Sequence, residues 1–184
     1  MSAPTLIATV GASTANSYTT VATTATYLNE RLNVGAWDTA VTAAVGGPER
    51  ALIMATRRID AEEFTGEPVS PLTDVEVGAG TATQALKWPR WSTLDDAGWT
   101  FDDAEIPLIV QRATMELALH YLNEGTTDAL ADTGLKGFRA VKVGPLDVTP
   151  VPGFSAGGLP DHVARLLRPV LAGGGSMSFR ASRS

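Results

Sequence analysis

The chain has 184 residues, a formal net charge of −6 at pH 7, and 44% hydrophobic residues. Its length suits one domain, or one domain with an appendage, and its hydrophobic content excludes a wholly disordered chain. No apolar run approaches the ~20 residues of a membrane-spanning helix, and no Lys or Arg precedes the N-terminal apolar run, so neither a membrane protein nor a secretory signal is expected. Cysteine is absent and only two His occur, which removes thiol chemistry and disfavours a His-based metal site.

Charge is distributed unevenly along the chain. Residues 1–134 hold 7 Lys and Arg against 18 Asp and Glu, whereas residues 135–184 hold 7 against 2. The acidic body argues against nonspecific DNA binding, because such binding neutralises phosphates. The basic C-terminal region suggests an acidic partner; the alternative is that a short region holds few acids by chance.

The first predicted helix spans 21–32 and has Thr20 as its N-cap. Four apolar residues recur there at helical spacing: Val21, Ala25, Leu28 and Leu32. Residues 36–47 are ambiguous, and Trp37 is expected to anchor a loop or a short helical turn against the body. A clearer helix begins at Pro48 and Glu49, which suit a first helical turn, and it should end near 64–66.

Residues 65–83 contain little helical periodicity and predict a long loop, with a possible strand at 75–77. The following segment, QALKWPRW (84–91), brings two Trp around a Pro. If this segment is extended, Leu86 and Trp88 point into the core while Lys87 and Pro89 face outward. Residues 92–103 predict a polar, Asp-rich connection.

The strongest helix prediction covers residues 106–124. Ile106 and Pro107 open it, and Gly125 ends it. Its apolar residues, which include Leu117, cover a wide face, as expected for the central helix of a bundle or a helix that also contacts a neighbouring subunit.

The last 50 residues predict a different organisation. The alternation in KGFRAVKVGPLDVTP (136–150) indicates two short strands around a turn. A Pro- and Gly-rich linker follows, then a short helical segment at 159–171 and a Gly-rich tail that is expected to be mobile when the protein is alone.

No catalytic or phosphate-binding motif is present, so no enzyme activity, metal or cofactor is expected. His120 is interpreted as structural, because no second His or acid stands at a recognisable spacing. The acidic groups at 60–63 and 95–103 are interpreted as solvated or helix-terminal charges. The four Trp could stack bases, as in single-strand binders, but that mechanism also needs a basic groove, and only Lys87 and Arg90 lie near three of them.

Seven short segments occur in a distinctive order. They are ANSY (15–18), TYLNERL (26–32), Trp37, ERALIMATRRID (49–60), QALKWPR (84–90), IPLIVQRATMELALHYL (106–122) and KVGPLDV (142–148). This series resembles the head–tail connector adaptor (head-completion) proteins of tailed phages, a family also labelled DnaT-like single-stranded-DNA-binding. The resemblance covers residues 10–150 and, more loosely, 166–171. The loop at 65–83 is longer than the family pattern, and the Gly-Gly-Gly tail has no match in it.

The resemblance implies a virion structural protein at the head–tail junction, assembled in the host cytoplasm. Its copies would form a ring of about twelve beneath the portal. Expected partners are the portal protein, neighbouring copies and a tail terminator or stopper protein. Genomic DNA would pass through the channel without sequence-specific binding. The alternative is a single-stranded-DNA-binding protein of phage DNA replication.

We therefore expect a mainly α fold: a small bundle of three to five helices with long loops, a short β-hairpin and an extended C-terminal arm. Residues 1–134 would form the bundle, and 135–184 the hairpin, arm and tail. The arm is expected to dock on the portal, with the alternative that it packs on its own bundle. The residues proposed for docking are Leu159, Val163, Arg165, Leu166, Leu167, Arg168, Val170, Leu171, Phe179 and Arg180. The expected structural anchors are Tyr27, Trp37, Trp88 and Leu117.

Overall fold

The computed structural model describes residues 2–43, 45–73, 81–93, 98–124 and 158–172, together with the backbone of 138–142 and 147–150. Five helices occur in this part of the chain: α1 (Val21–Leu28), α2 (Gly35–Thr42), α3 (Gly47–Asp60), α4 (Leu108–Glu124) and α5 (Asp161–Leu167). Two short antiparallel pairs of strands accompany them. The predicted class, a small helical bundle with a short hairpin, is confirmed. None of the described helices combines the length and apolarity needed to cross a membrane.

Helix α1 begins where the sequence predicts. Thr20 is its N-cap, and the Thr20 hydroxyl accepts a hydrogen bond from the backbone N–H of Thr23. The predicted end at residue 32 is wrong, because the helix ends at Leu28 and Leu32 is 85% exposed. Leu28 fills the core, whereas the chain turns away through Asn33, whose φ is 62°. Leu32 therefore matches the spacing of the helix but has nothing to pack against.

The ambiguous stretch after α1 forms the short helix α2, which buries Trp37. Helix α3 follows directly, with Pro48 in its first turn and Glu49 at the positive end of the helix dipole. It ends at Asp60, about one turn before the predicted end. Phe64 leaves the helix to pack its ring edge-on against Trp88, with the ring centroids 5.6 Å apart.

Helix α4 is the centre of the bundle and packs against α2, α3 and α5. Most of its length is buried, which confirms the prediction from its wide apolar face. The buried residues are Val110, Ala113, Thr114, Met115, Glu116, Leu117, Ala118, Leu119 and Tyr121. Leu108, an apolar residue in the first turn, is nevertheless 64% exposed.

Strands β1 (Glu67–Pro68) and β2 (Arg90–Trp91) pair antiparallel, with Glu67 opposite Trp91 and Pro68 opposite Arg90. This pairing was not predicted. Strands β3 (Phe138–Lys142) and β4 (Asp147–Pro150) form the predicted hairpin, in which Lys142 pairs with Asp147. The predicted strand at 75–77 lies outside the described residues.

The QALKWPRW segment packs as predicted at Leu86 and Trp88, which are both buried. The prediction that Pro89 faces outward is wrong, since Pro89 is buried as well. The peptide bond between Trp88 and Pro89 is cis, so the segment is not a regular extended strand with strictly alternating faces.

The C-terminal segment packs on its own bundle. Val163, Leu167 and Val170 have no exposed surface. Backbone hydrogen bonds also join this segment to the residues after α3. The N–H of Thr65 donates to the carbonyl of Val170, and the N–H of Ala172 donates to the carbonyl of Glu63. Of the two alternatives for this segment, packing on its own bundle is the one observed for these residues, because an apolar stripe too short to be stable alone gains stability from contact with α4.

Candidate functional site

The motif residues meet at one point between the N-terminal lead-in, α3 and the WPR segment. The hydroxyl of Tyr18 donates to Asp60, and the backbone N–H of Lys87 donates to the same carboxylate oxygen at 2.8 Å. The backbone N–H of Tyr18 donates to the hydroxyl of Thr56. Burial and the neighbouring Asp60 carboxylate raise the pKa of Tyr18 well above its usual range, so its phenol stays protonated and acts as a donor.

Arg90 is a buried cation held by backbone carbonyls. Its guanidinium donates to the carbonyls of Thr65 (2.8 Å), Gly66 (2.5 Å) and Lys87 (3.1 Å). It also lies 5.9 Å from the centroid of the Phe64 ring. Burial lowers the pKa of Arg90, but an arginine remains charged at physiological pH. The side chain thus fixes the turn at 64–66 against the WPR segment and is 6% exposed.

Gln84 organises the other side of the same segment. Its amide N–H groups donate to the carbonyls of Leu86 and Pro89, and its amide oxygen accepts from the N–H of Ser70. The Gln and Arg of the Q-A-L-x-W-P-R motif therefore hold this segment in place around the buried Trp88. The motif is therefore explained by the structural role of these two side chains and does not require a catalytic role.

A second polar group lies where α1 meets α4. Glu116 is buried inside α4 and accepts a hydrogen bond from the Tyr27 hydroxyl at 2.8 Å. Its other carboxylate oxygen forms an ion pair with Arg31. A buried carboxylate needs such partners, because an unpaired charge in the core is costly. Of the other predicted structural anchors, Trp37, Trp88 and Leu117 are at most 2% exposed.

The two His meet where α4 contacts α5, with the ring centroids of His120 and His162 at 5.9 Å. Partial burial and the nearby Arg31 lower the pKa of His162, against the opposing effect of Asp161. Within the described ranges, no group of three or more His, Asp or Glu could hold a metal ion.

The aromatic–acidic patch, which we define as Glu67, Trp91, Asp102 and Asp103, combines an exposed indole with carboxylates. Trp91 is 50% exposed and lines a depression of about 590 Å³. The depression is lined by Trp91, Ser92, Thr100, Phe101, Asp102 and Asp103. Trp99, two residues before Phe101, is 75% exposed. None of these lining residues is a cation.

The residues proposed for portal docking are divided between core and surface. Val163, Leu167 and Val170 lie in the core, and Leu159, Leu166 and Leu171 are partly buried against it. Arg165 on α5 and Arg168 at its C-cap are both exposed. Phe179 and Arg180 lie outside the described residues. Docking through the two exposed Arg stays a prediction.

The comparisons place the chain in a family. A family model described as "Putative DnaT-like ssDNA binding protein" matches residues 5–184. The chain belongs to this family. No curated protein and no solved structure matches it. The family description agrees with the DnaT-like label expected from the motifs and makes no mention of a head–tail connector.

Sequence reasoning missed the aromatic–acidic patch. The sequence places Glu67 in the predicted long loop at 65–83 and Trp91 at the end of the QALKWPRW segment, and it does not predict that they pair. The available signal was one Trp just before and one Trp within the polar, Asp-rich connection at 92–103, where a large apolar side chain has few partners.

Proposed function

We propose that the protein is a non-enzymatic structural subunit of a phage head–tail connector, with the portal, further copies of itself and a tail terminator or stopper as partners. It would act at the head–tail junction of the virion, after assembly in the host cytoplasm. The proposal starts from the motif resemblance. It is supported by the contacts that the charged side chains make among the described residues.

The observation that carries the proposal is the engagement of Lys87 and Arg90. These are the cations nearest in sequence to Trp88 and Trp91, and both are bound by the protein's own oxygens. Arg90 holds three carbonyls at 3.1 Å or less, while the Lys87 ammonium donates to the Glu62 carbonyl and lies 3.5 Å from the Glu63 carboxylate. Both cations are therefore already engaged by protein oxygens, which makes them less available to a nucleic-acid phosphate.

A connector subunit benefits from this arrangement. DNA must slide through the ring, so a wall that binds phosphates would hinder it, whereas an acidic wall repels them. The motif side chains Tyr18, Gln84 and Asp60 serve the fold in the same way, since each one joins segments distant in sequence. A network of this kind makes one subunit rigid, as a structural role in an assembly requires.

Single-stranded DNA binding is the second candidate, and the family description favours it. The exposed Trp91 and Trp99 could stack on bases, which is worth about 1–3 kcal/mol per base in known binders. The carboxylates of Asp102 and Asp103 line the same depression as Trp91 and would repel the phosphates of a stacked strand.

Fluorescence anisotropy with a labelled oligo-dT distinguishes the two candidates. The connector proposal predicts no binding in the micromolar range at about 0.15 M salt, and no response to the double substitution Trp91→Ala, Trp99→Ala. Micromolar binding that weakens with salt and is lost in this double variant would establish the second candidate and overturn the first.

A second experiment tests assembly directly. Portal-bearing heads should take up the purified protein in a sedimentation assay, and Arg165→Glu, Arg168→Glu should reduce uptake if α5 contacts the portal. Arg57→Glu, at an exposed Arg on α3, is the matched control. Failure of the wild-type protein to join the heads would contradict the connector function.

A further inference from the structure

The aromatic–acidic patch combines an open indole with carboxylates on one face. Glu67 and Trp91 are directly opposite each other in the β1–β2 pair. Directly opposed residues project from the same face of a sheet, with Cβ atoms about 4.5–5.5 Å apart. Glu67 is exposed, and Asp102 and Asp103 line the depression beside Trp91. One carboxylate thus lies across the strand pair from Trp91, and two more line the same depression as its half-exposed side chain.

This chemistry is complementary to arginine. A guanidinium stacks on an indole face within about 6 Å of the ring centroid and can pair with carboxylates at its edge. Arg binds carboxylates through two parallel hydrogen bonds, which lysine cannot do. A nucleic acid offers the indole a base to stack on, but its phosphates would meet these carboxylates.

The C-terminal sequence of the chain supplies such a ligand. Residues 173–184, GGGSMSFRASRS, contain Arg180 and Arg183 and no acidic residue. We propose that the aromatic–acidic patch binds this segment of the same chain, with Arg180 or Arg183 stacked on Trp91 and paired with Glu67 and the nearby aspartates. The proposal does not depend on which function the protein has.

The position of Ala172 supports binding within one chain. Its N–H donates to the carbonyl of Glu63 at 2.7 Å, and Glu67, which opposes Trp91, is four residues further along. Four extended residues span about 13 Å, whereas the eight residues from Ala172 to Arg180 can span about 27 Å. A short tether also gives an effective concentration in the millimolar range, which favours the attached segment over that of a second copy.

Acrylamide quenching of Trp fluorescence in the full-length chain tests the proposal. A Trp99→Phe background leaves Trp91 as the exposed Trp, because Trp37 and Trp88 are 2% and 1% exposed. In this background, Arg180→Gln with Arg183→Gln should raise the quenching constant about twofold, since the indole loses its cation and its cover. Glu67→Gln should raise it in the same direction. Arg165→Gln with Arg168→Gln removes the same charge from exposed sites on α5 and at its C-cap, and it should leave the quenching constant unchanged.

Three outcomes would overturn the proposal. Equal quenching in wild type and in the Arg180, Arg183 variant would show that the segment does not cover Trp91. Protection of Trp91 that disappears on dilution over about two orders of magnitude would assign the segment to a second copy, because tethered binding does not depend on protein concentration. Protection of Trp91 by oligo-dT that survives Arg180→Gln with Arg183→Gln would assign the patch to nucleic acid.

Discussion

The hydroxyl of Tyr18 donates a hydrogen bond to the carboxylate of Asp60, 42 residues further along the chain. The same carboxylate oxygen accepts from the N–H of Lys87, so one acidic side chain joins the N-terminal lead-in, the end of α3 and the WPR segment. Loss of Asp60 affects all three segments at once, because each of its donors would lose its acceptor inside the protein.

Asp60→Ala should destabilise the fold by about 2–4 kcal/mol, since it leaves the donors of Tyr18 and Lys87 unsatisfied. Tyr18→Phe removes only one donor and should cost about 1 kcal/mol. Urea denaturation of the two variants measures the difference. Asp38→Ala, at an exposed site on α2, is the control and should change stability by less than about 0.5 kcal/mol. Equal losses at Asp60 and Asp38 would refute the role of the Asp60 carboxylate.

Trp88→Ala should cost about 3–5 kcal/mol, because the ring is 1% exposed and packs edge-on against Phe64 and Phe101. The indole N–H has no hydrogen-bond partner among the described residues. Packing rather than polarity therefore holds the ring, and Trp88→Phe should cost less than Trp88→Ala. Trp99→Ala, at a 75% exposed site, is the control. A loss below about 1 kcal/mol for Trp88→Ala would contradict its place in the core.

Leu167→Ala tests whether α5 belongs to the bundle. Leu167 has no exposed surface, so its truncation should cost about 2–5 kcal/mol. Arg168→Ala, at the next residue and exposed, should change stability by less than about 0.5 kcal/mol. Thermal melts of both variants give the comparison. An unchanged melting temperature for Leu167→Ala would show that α5 does not contribute to the core of the bundle.

Gly66→Ala should destabilise the protein by more than the strain of a left-handed backbone alone. Gly66 has φ = +72°, and an added Cβ would overlap the carbonyl oxygen of Trp91 and lie 2.6 Å from the Thr93 hydroxyl. Gly98 has φ = +84°, and among the described residues other than its chain neighbours no atom lies within 4 Å of an added Cβ. Gly98→Ala should therefore cost only about 1–2 kcal/mol, the usual penalty of the left-handed region. Equal losses of unfolding free energy for Gly66→Ala and Gly98→Ala in chemical denaturation would mean that the turn at Gly66 moves to accommodate the added Cβ.

Alkaline pH should weaken the fold through Tyr18. Its pKa is raised in the folded protein, so the stabilisation is complete below the unfolded pKa of about 10 and is lost as pH rises through the folded value. Free energies of unfolding measured from pH 8 upward should fall less steeply above pH 10 in Tyr18→Phe than in wild type. Tyr27→Phe, which also removes one phenol hydroxyl, is the matched control for Tyr18→Phe. Parallel curves for wild type and Tyr18→Phe would contradict the prediction.

Local patterns in the sequence determined where several elements lie. Thr20 marks the start of α1 because an N-cap hydroxyl satisfies a backbone N–H that the helix cannot. The apolar coverage of 106–122 marks α4 as the central helix, and the alternation around Gly144 and Pro145 marks the β3–β4 hairpin. Each of these features depends on neighbours within a few residues, so one sequence is enough to identify it.

Only the tertiary structure decided which segments meet. The apolar stripe of α5 is compatible with a portal or with its own bundle, and burial of Leu167 against α4 selected the bundle. Glu67 and Trp91 become neighbours through strand pairing across 24 residues, which no local periodicity encodes. Arg90 looked available for phosphates in the sequence, yet the turn at 64–66 brings three carbonyls to its guanidinium. Contacts between distant residues depend on the closure of the whole chain, and for that physical reason the sequence alone left them open.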